Sequence, residues 1–458
     1  MTPRAEPLIP TSTERQEQGR ALRKVVPRSE LGAWEPVPGR ADPIDVPEMQ
    51  AASRVPELVP IRYGRMAASP FAFFRGGAAI MAADLATTPV TGLTVQACGD
   101  AHVSNFGKFA TPERNIAFDI NDFDETLPGP WEWDVKRLCA SLHIVARANG
   151  FRRRDADRVV RAAACAYRER TAWFATRRTM ELWYDRIHVD DVIGHFPRRY
   201  RAALERDIRK ARRKDHARAV TKLTRAVDGR IVFAEDPPLL VHLEATGHDM
   251  DEATPMIERY RESLTDVRRE LFDRFHVVDV ARKVVGVGSV GTRCWILLLE
   301  GPDHPDGDRL VLQVKEAQDS VLEPYVGSSE LGHHGKRVVV GQKLTQAASD
   351  LFLGWTTAPD SGRQYYVRQL WDVKGQSDPL AMDVRNLSHY GTLCAWALAR
   401  AHARTGDAVQ LSGYLGGSQR FDEAIVDFSA AYARTNERDH RALLTAIADG
   451  RVVAETGI

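Results

Sequence analysis

Two short polar stretches in the first third of the chain combine residue types that act in group transfer. Residues 99–105 read Gly-Asp-Ala-His-Val-Ser-Asn, and residues 121–125 read Asn-Asp-Phe-Asp-Glu. An aspartate such as Asp100 can take the proton of a reacting hydroxyl group. Mg²⁺ prefers hard oxygen ligands and usually takes one or two carboxylates besides phosphate oxygens. We therefore predict Asp100 as a candidate catalytic residue, and Asn105 with a nearby aspartate, Asp119 or Asp122, as candidate magnesium ligands.

Residue type alone does not decide which aspartate supplies the second metal ligand. In a strand over residues 116–122, Asp119 and Asp122 lie on opposite faces. The length of the hairpin favours Asp119, so the two aspartates are alternatives at this point. Two nearby residues have structural interpretations: Asp134 as a helix cap or a hub for loop amides, and His102 as a hydrogen-bonding residue.

A glycine-rich stretch lies much later in the chain. Gly286, Gly288 and Gly291 form the pattern G-x-G-x-x-G, whose backbone N–H groups can approach phosphate oxygens without a Cβ in the way. A dinucleotide fold requires a helix after this loop, but the apolar run at residues 295–299 predicts a second strand. Strand, loop and strand is the arrangement with which protein kinases cover the phosphates of ATP. We predict that these glycines, with Ser289, bind a nucleotide.

The next predicted strand carries a lysine where a kinase-like loop requires one. Lys315 ends the apolar run of residues 310–314, and only 11 of the 63 basic residues are lysine. A buried ammonium group is costly without an anion, and nucleotide phosphates would supply one. We predict Lys315 as a catalytic and nucleotide-binding residue. Its glutamate partner is open among Glu316, Glu323 and Glu330, and we favour Glu323.

A hinge is predicted where the sheet-forming segment ends and helices resume. This hinge covers residues 368–371. Gln369 and Leu370 lie within it, and we predict that both contact the nucleotide.

The acidic stretches resemble a known kinase signature. GDAHVSNFG, followed by NDFDET and WDVKRL, resembles the HGDxHxxN, DFD and D pattern of aminoglycoside-phosphotransferase-like kinases. The resemblance implies that the first Asp of DFD binds metal and that a buried Asp follows it by twelve positions, as Asp134 follows Asp122. This spacing selects Asp122 over Asp119. The chain departs from the pattern at Cys98, where these kinases carry His. From Arg62 onward the whole chain resembles a bacterial family catalogued as domain-of-unknown-function family 2252, which is grouped with kinase-like folds.

The two motifs occur in the reverse of the usual kinase order, because the acidic stretches precede the glycine loop. A circular permutation would reconcile the order, since the termini of a domain often lie close together. The late helix at residues 390–404 resembles the helix that directly precedes the catalytic loop in phosphotransferases. The predicted fold is therefore α+β: a protein-kinase-like, two-lobed fold, circularly permuted.

Four regions follow from this reading. They are an irregular N-terminal leader over residues 1–60, a helical lobe with the catalytic and metal-binding loops over 61–275, a sheet-rich nucleotide-binding lobe over 276–371, and C-terminal helices over 372–458 that complete the helical lobe.

Composition excludes several classes of protein. The 63 Lys and Arg against 62 Asp and Glu give a net charge of +1, so nothing draws the whole chain to nucleic acid or to an acidic membrane. Five scattered cysteines without a CxxC pair disfavour a disulfide framework and a structural zinc site. No apolar run has the length of a signal peptide or a membrane span. We predict a soluble cytoplasmic protein. Residues 198–230 hold 13 basic and four acidic residues, which we interpret as a solvated helix face.

The function predicted from these features is an ATP- and Mg²⁺-dependent phosphotransferase. The resemblance favours a small molecule with a hydroxyl group as acceptor, and a protein acceptor is the second option. Three alternatives stay open: transfer of AMP, a non-catalytic nucleotide-binding scaffold, and a metal-dependent phosphohydrolase. The last would use Asp100, His102, Asp119, Asp122 and Asp124, and would leave the glycine loop without a role.

Overall fold

Helices and small antiparallel sheets make up the fold in the computed structural model, which describes residues 10–190, 216–248, 250–302, 307–370 and 377–458. The α-helices are α1 Ser12–Ala21, α2 Asp45–Ala51, α3 Val59–Ala67, α4 Pro70–Gly76, α5 Ala78–Leu85, α6 Trp131–Ala148, α7 Arg153–Phe174, α8 Thr179–Tyr184, α9 His216–Leu223, α10 Met250–Ser263, α11 Asp266–Phe272, α12 Glu323–Val326, α13 His334–Thr345, α14 Val384–Thr405, α15 Ala408–Leu415 and α16 Arg420–Ala448. The strands are β1 Thr94–Ala97, β2 Phe106–Ala110, β3 Ile116–Ile120, β4 Leu127–Pro130, β5 Thr224–Val227, β6 Arg230–Phe233, β7 Leu240–His242, β8 His276–Lys283, β9 Cys294–Glu300, β10 Arg309–Ala317, β11 Gly354–Thr357 and β12 Gln364–Gln369. The α+β class predicted from the sequence is confirmed.

The largest hydrophobic core lies among the long helices α6, α7, α14 and α16. In α6, Val135, Leu138 and Leu142 recur at helical spacing and are all buried. At the first residue of this helix, Trp131 stacks on Tyr167 of α7 with ring centroids 5.8 Å apart. This packing fixes α6, whose first turn begins six residues after the second acidic stretch. None of the described helices is long and apolar enough to cross a membrane.

Six antiparallel strands form the largest sheet, in the order β11-β12-β10-β9-β8-β7. Side chains along a strand alternate between the two faces of a sheet. Leu310, Leu312 and Val314 of β10 therefore pack into one core with α10 and α11, whereas Val311 packs into another with α9. Lys315 lies on the same face of the sheet as Val311, and therefore points away from the core formed with α10 and α11.

Two small two-stranded sheets hold the acidic stretches. β2 pairs with β3, and β1 pairs with β4, both antiparallel. A 3-10 turn over Val103–Asn105 leads into β2, and β3 ends at Ile120, directly before the second stretch. The backbone N–H of Asn121 donates to the carbonyl oxygen of Asn105 at 2.8 Å. The hairpin thus brings the two acidic stretches side by side.

The N-terminal region is more regular than the sequence predicted. In place of an irregular leader, residues from 10 onward form α1, α2 and several short 3-10 turns. Helix α1 packs on α15, and Arg23 donates to the carbonyl oxygens of Gly413 and Tyr414. Trp34 Nε1 donates to Thr435 Oγ1, 401 positions later in the chain, at 3.1 Å. The prediction failed because short polar helices depend on tertiary contacts, which no local pattern reports.

The sheet unit draws on residues from both sides of the predicted boundary at 275 and 276. Strand β7 pairs with β8, and Tyr260 and Phe272 of α10 and α11 pack against the same sheet. Within the stretch predicted as helical, β5 and β6 form a further hairpin. Of the basic run at 198–230, residues 198–215 lie outside the described residues.

Candidate functional site

The first acidic stretch is held by a chain of buried side chains. The backbone N–H groups of Cys98 and Gly99 donate to the two carboxylate oxygens of Asp134, at 2.6 and 2.9 Å. His402 of α14 bonds the same carboxylate at 3.1 Å, and the hydroxyl of Tyr167 bonds His402 at 2.7 Å. Of the two structural interpretations of Asp134, the structure selects the hub for loop amides.

Cys98 links the two acidic stretches. Its buried Sγ donates to the carbonyl oxygen of Asp122 at 3.4 Å. Burial raises the pKa of the Cys98 thiol well above its usual value, and the negative charge of Asp134 adds to the shift. The thiol therefore keeps its proton and can act as a hydrogen-bond donor. This contact braces the first acidic stretch against the second.

Asp100 presents an oriented carboxylate at the end of this braced loop. Arg137 of α6 donates from Nε to Asp100 Oδ1 at 2.7 Å, and its Nη2 donates to the carbonyl oxygen of Phe74 at 2.9 Å. Asn105 Nδ2 donates to the backbone carbonyl of Asp100 at 2.7 Å, so the amide oxygen of Asn105 is the atom that can bind a metal. His102 is buried, and burial holds its pKa well below the usual value, which keeps the imidazole neutral.

Lys315 reaches from β10 into the second acidic stretch, 191 positions earlier in the chain. Its ammonium group pairs with Oδ2 of Asp124. The other oxygen of Asp124 accepts a hydrogen bond from the hydroxyl of Tyr366 at 2.6 Å. Asp122 Oδ1 accepts the backbone N–H of Asp124 at 3.3 Å. The two carboxylates of the DFD sequence therefore lie together beside one buried cation.

The pKa values of the two carboxylates in this cluster shift in opposite directions. Burial and the neighbouring charge of Asp124 raise the pKa of Asp122. Burial also disfavours the charged form of Asp124, but the charge and hydrogen bond of Lys315 outweigh it and lower the pKa of Asp124. For Lys315, burial is outweighed by the charges of Asp122 and Asp124, and its pKa is raised well above the usual value. Arg368 is a second nearby cation whose charge lowers the pKa of both carboxylates, but the pKa of Asp122 is still raised, and a divalent cation would relieve the remaining repulsion.

The acidic stretches and the glycine loop line one cavity of about 140 Å³. The predicted site residues that line it are Asp100, Asn105, Asp122, Gly286, Gly288 and Ser289. Lys315 is connected to this cavity by its ion pair with Asp124, which also lines it. Gly291 lies behind the loop, where a Cβ would come within 3.1 Å of Arg54 Cβ. Its φ of 87° is in the left-handed region that favours glycine.

The glycine loop lies against the N-terminal helices. Arg65 Nη1 donates to the carbonyl oxygen of Gly286 at 2.6 Å. A Cβ at Gly288 would lie 3.3 Å from the carbonyl oxygen of Arg75, so the loop backbone approaches α4 closely. Among the residues that the structure describes, the backbone N–H groups of Gly288 and Ser289 have no hydrogen-bond partner. These two donors are available to an anion in the cavity.

Asp119 is a core residue and does not line this cavity. Its carboxylate is fully buried and pairs with Arg400 of α14. It also accepts the backbone N–H groups of Ala347 and Ile120, each at 2.9 Å. The placement therefore favours Asp122 over Asp119 as the carboxylate available to a metal.

The structure contradicts the prediction that Glu323 pairs with Lys315. Glu323 lies 3.9 Å from Arg337 Nε and accepts the N–H of Ser320. Glu316 pairs with Arg293 instead, at 3.3 Å, and Glu330 is exposed. The prediction failed because the partner, Asp124, comes from the other motif and not from a segment after β10.

Gln369 and Leu370 do not line the cavity of the glycine loop. Leu370 is buried in a cluster with α9 and the β5–β6 hairpin, and its N–H donates to the carbonyl oxygen of Val311 at 2.9 Å. Gln369 lines a second cavity of about 260 Å³, and its N–H donates to Asp350. Neither residue is therefore placed to contact a ligand in the cavity of the glycine loop, because α9 and the hairpin cover Leu370 and Gln369 lines a different cavity. Trp371, the end of the predicted hinge, lies outside the described residues.

Sequence reasoning missed several residues that border the site. Arg137 holds Asp100 from α6, and Arg54, Arg62 and Arg75 line the cavity from the N-terminal side. In a chain with 52 arginines these residues carry no distinguishing signal. Asp124 was more accessible to prediction, because it stands two positions from Asp122 in the DFD sequence.

Comparison with known proteins gives a family for this chain. No curated protein and no solved structure matches it. A family model described as an uncharacterised protein conserved in bacteria matches residues 54–446. The matched region begins at Arg54 and contains both motifs and every predicted site residue. The chain therefore belongs to the bacterial domain-of-unknown-function family 2252.

Proposed function

We propose that this protein is a phosphotransferase of kinase-like, circularly permuted architecture, which transfers the terminal phosphoryl group of Mg·ATP to a hydroxyl group of a small molecule. One observation carries the proposal. Lys315 pairs with Asp124, 191 positions earlier in the chain, and Asp124 lines the cavity. The glycine loop and Asp100 border the same space. A phosphate-binding loop, a buried cation and paired carboxylates are the parts that phosphoryl transfer requires.

The residues around the cavity suit a magnesium nucleotide. The backbone N–H groups of Gly288 and Ser289 and the ammonium group of Lys315 would bind phosphate oxygens. The carboxylate of Asp122, with Asp124 beside it, and the amide oxygen of Asn105 form a set of hard oxygen donors, which magnesium prefers. The raised pKa of Asp122 supports this fit, since it reflects negative charge that a bound cation would neutralise. A magnesium ion would supply neutralisation of the phosphate charge.

Asp100 would accept the proton of the acceptor. The hydroxyl oxygen forms a bond to the terminal phosphorus, the bond from that phosphorus to the bridging oxygen of ADP breaks, and the hydroxyl proton passes to Asp100. Arg137 holds the carboxylate in place through Oδ1, and Oδ2 remains for the proton. Catalysis of this kind rests on positioning and charge neutralisation.

The end of α14 supports the permutation. The backbone N–H of Gln96 in β1 donates to Thr405 Oγ1 at the last residue of α14, at 3.0 Å. Three positions earlier, His402 bonds the Asp134 hub that holds the catalytic loop. In the resembling kinases a helix of this kind directly precedes that loop. Here the same neighbours meet in space although 309 positions separate them in sequence.

Phosphorus NMR with ATP, Mg²⁺ and pools of small hydroxyl compounds tests the proposal. We expect ADP together with a phosphate ester, or with free phosphate when water is the acceptor. Asp100→Asn and Asp122→Asn should abolish this turnover. Asp319→Asn should retain it, because this cavity-lining carboxylate is 76% exposed and serves as a matched control. Pyrophosphate with an adenylylated product would establish AMP transfer instead. Unchanged ATP in the wild-type protein would contradict the proposal.

A further inference from the structure

Three arginines from the N-terminal part of the family match line the same cavity as the acidic stretches. Arg54 and Arg62 are buried, with 8% and 1% of their surface exposed, and Arg75 is half-buried. Arg54 packs on Gly291 and donates from Nη1 to the carbonyl oxygen of Val290, so its positive charge lies next to the glycine loop.

These arginines differ from the other cations of the site. Lys315 pairs with Asp124, and Arg137 pairs with Asp100. Within the described ranges, Arg54, Arg62 and Arg75 have no ion-pair partner. The cavity is thus lined by three buried or half-buried guanidinium groups that no carboxylate of the described residues neutralises at contact distance.

Their hydrogen bonds go to neutral acceptors. Arg62 donates to the carbonyl oxygen of Pro47 at 3.2 Å, to Gln50 Oε1 at 2.6 Å and to the carbonyl oxygen of Gly76 at 3.4 Å. Arg54 Nη1 donates to the carbonyl oxygen of Val290. The Nε atoms of Arg54, Arg62 and Arg75 are buried without a hydrogen-bond partner in the described structure. Part of the donor capacity of each arginine is therefore unused.

Burial without a paired carboxylate lowers the pKa values of these three arginines. Burial lowers the pKa of Arg62 to about 9, and the nearby charge of Arg54 lowers it further in the same sense. Burial lowers the pKa of Arg54 to about 10, although Glu125 and Glu316 oppose the shift from a distance. Burial also lowers the pKa of Arg75. Buried cations are normally paired, so an anion in this cavity would stabilise all three.

We propose that Arg54, Arg62 and Arg75 form an oxyanion subsite that binds a phosphate group. Arginine suits this ligand because its planar fork matches phosphate oxygens with two parallel N–H donors. The cavity is also lined by Ala78 and Ala79 in the first turn of α5, where a helix leaves backbone N–H groups without an intrahelical partner. Three positive charges and these amides suit a ligand with two negative charges and several oxygens.

The bound phosphate group can belong to either of two molecules. The subsite itself does not depend on the proposed function, but the naming of these two molecules rests on it. The bound group is either the terminal part of the nucleotide or a phosphate group already carried by the acceptor. In the second case the acceptor is a phosphorylated hydroxyl compound, and the subsite contributes to its selection.

Calorimetric titration of the full-length protein with inorganic phosphate and with pyrophosphate, without nucleotide or Mg²⁺ and at constant ionic strength, tests the subsite. We expect saturable binding that Arg54→Gln and Arg75→Gln each weaken about tenfold, the loss of one charge-assisted hydrogen bond. Arg153→Gln removes a charge from a side chain that is 81% exposed on α7, and should bind phosphate as the wild type does. Arg62 is left unchanged, because its hydrogen bonds also hold the segment before α3.

Repeating the phosphate titration with a saturating non-hydrolysable Mg·ATP analogue separates the two sources. Loss of phosphate binding assigns the subsite to the nucleotide, and unchanged binding assigns it to the acceptor; both results support the inference. Absence of saturable phosphate and pyrophosphate binding, or equal binding by the wild type and both arginine variants, would overturn it. Binding of Mg·ATP without binding of phosphate would contradict the subsite but not the proposed function. Binding of phosphate without binding of Mg·ATP would contradict the proposed function but not the subsite.

Discussion

Asp119 and Asp122 stand three positions apart on one short segment and meet opposite environments. Asp119 is sealed in the core, paired with Arg400 and bonded by two backbone N–H groups. Asp122 lines the cavity, where it shares the nearby cations Lys315 and Arg368 with Asp124 and keeps a raised pKa. The residue type is the same, but only one carboxylate has its charge satisfied within the fold. The comparison shows that an unsatisfied carboxylate, and not an acidic residue as such, marks the site.

Asp122→Asn should give the largest change, in turnover and not in stability. We expect phosphoryl transfer to fall at least about a thousandfold, because a ligand for the charge-neutralising cation is lost. The raised pKa of Asp122 means that the folded protein disfavours its ionised form, so a neutral amide should leave thermal stability unchanged or higher near pH 7. Rates measured beside Asp319→Asn and melting curves check both parts. A variant that keeps full activity would place Asp122 with Asp119 as a structural residue.

Asp119→Asn should do the reverse and destabilise the fold. Removing one partner of a buried ion pair leaves Arg400 uncompensated, which costs about 3–5 kcal/mol. Urea denaturation should show the loss, whereas nucleotide binding by the folded fraction at low temperature should persist. Asp266→Asn, at a carboxylate that is 95% exposed, provides the control. Unchanged stability together with lost nucleotide binding would reverse the roles assigned to the two aspartates.

Asp134→Asn should affect both properties to an intermediate extent. The carboxylate accepts hydrogen bonds at both oxygens, and an amide would turn one acceptor into a donor facing an N–H group. Such a mismatch costs about 1–3 kcal/mol and would let the loop that carries Asp100 shift. We expect a lower unfolding free energy and a lower kcat, with nucleotide affinity changed little. Reduced nucleotide affinity at full kcat would contradict the positioning role of Asp134.

Cys98→Ser should have the smallest effect. A hydroxyl can replace the thiol as donor to the carbonyl oxygen of Asp122, so the link between the two acidic stretches would remain. We expect a loss of about 1 kcal/mol or less from the change in buried apolar volume, and activity within about tenfold of the wild type. Denaturation and turnover measurements check this. Cys98→Ala removes the donor and should cost more than Cys98→Ser; an equal cost for both variants would remove the hydrogen bond from the account.

Much of the local structure could be predicted from periodicity and spacing. The helix expected over residues 390–404 forms part of α14, and the strands expected after the glycine loop are β9 and β10. The spacing of Asp122 and Asp134 also anticipated two residues that lie at the same loop. These features depend on contacts between neighbours in sequence or on patterns with a fixed spacing, which a single sequence records.

The partners of the site residues could not be predicted, because they come from distant segments. Asp124 pairs with Lys315 across 191 positions, which excluded Glu323. Helix α9 and the β5–β6 hairpin cover Leu370, and no local pattern marks that packing. Arg54 and Arg62 border the cavity from a region whose composition indicated only a leader and its junction with the first helices. The spacing of residues in the sequence thus identified candidate site residues, but their contact partners depend on tertiary packing.

Calorimetric titration with Mg·ATP of the wild type, Lys315→Met and Lys136→Met tests the central claim most directly, with each variant first checked for folding by circular dichroism. Lys136 is the matched control, because it is a fully buried lysine that donates to Thr88 Oγ1 in the helical core. We predict that the wild type and Lys136→Met bind Mg·ATP alike, and that Lys315→Met binds it about tenfold to a hundredfold more weakly through loss of a charged hydrogen bond. Equal affinities in all three proteins would contradict a nucleotide site formed by the glycine loop, Lys315 and the acidic stretches.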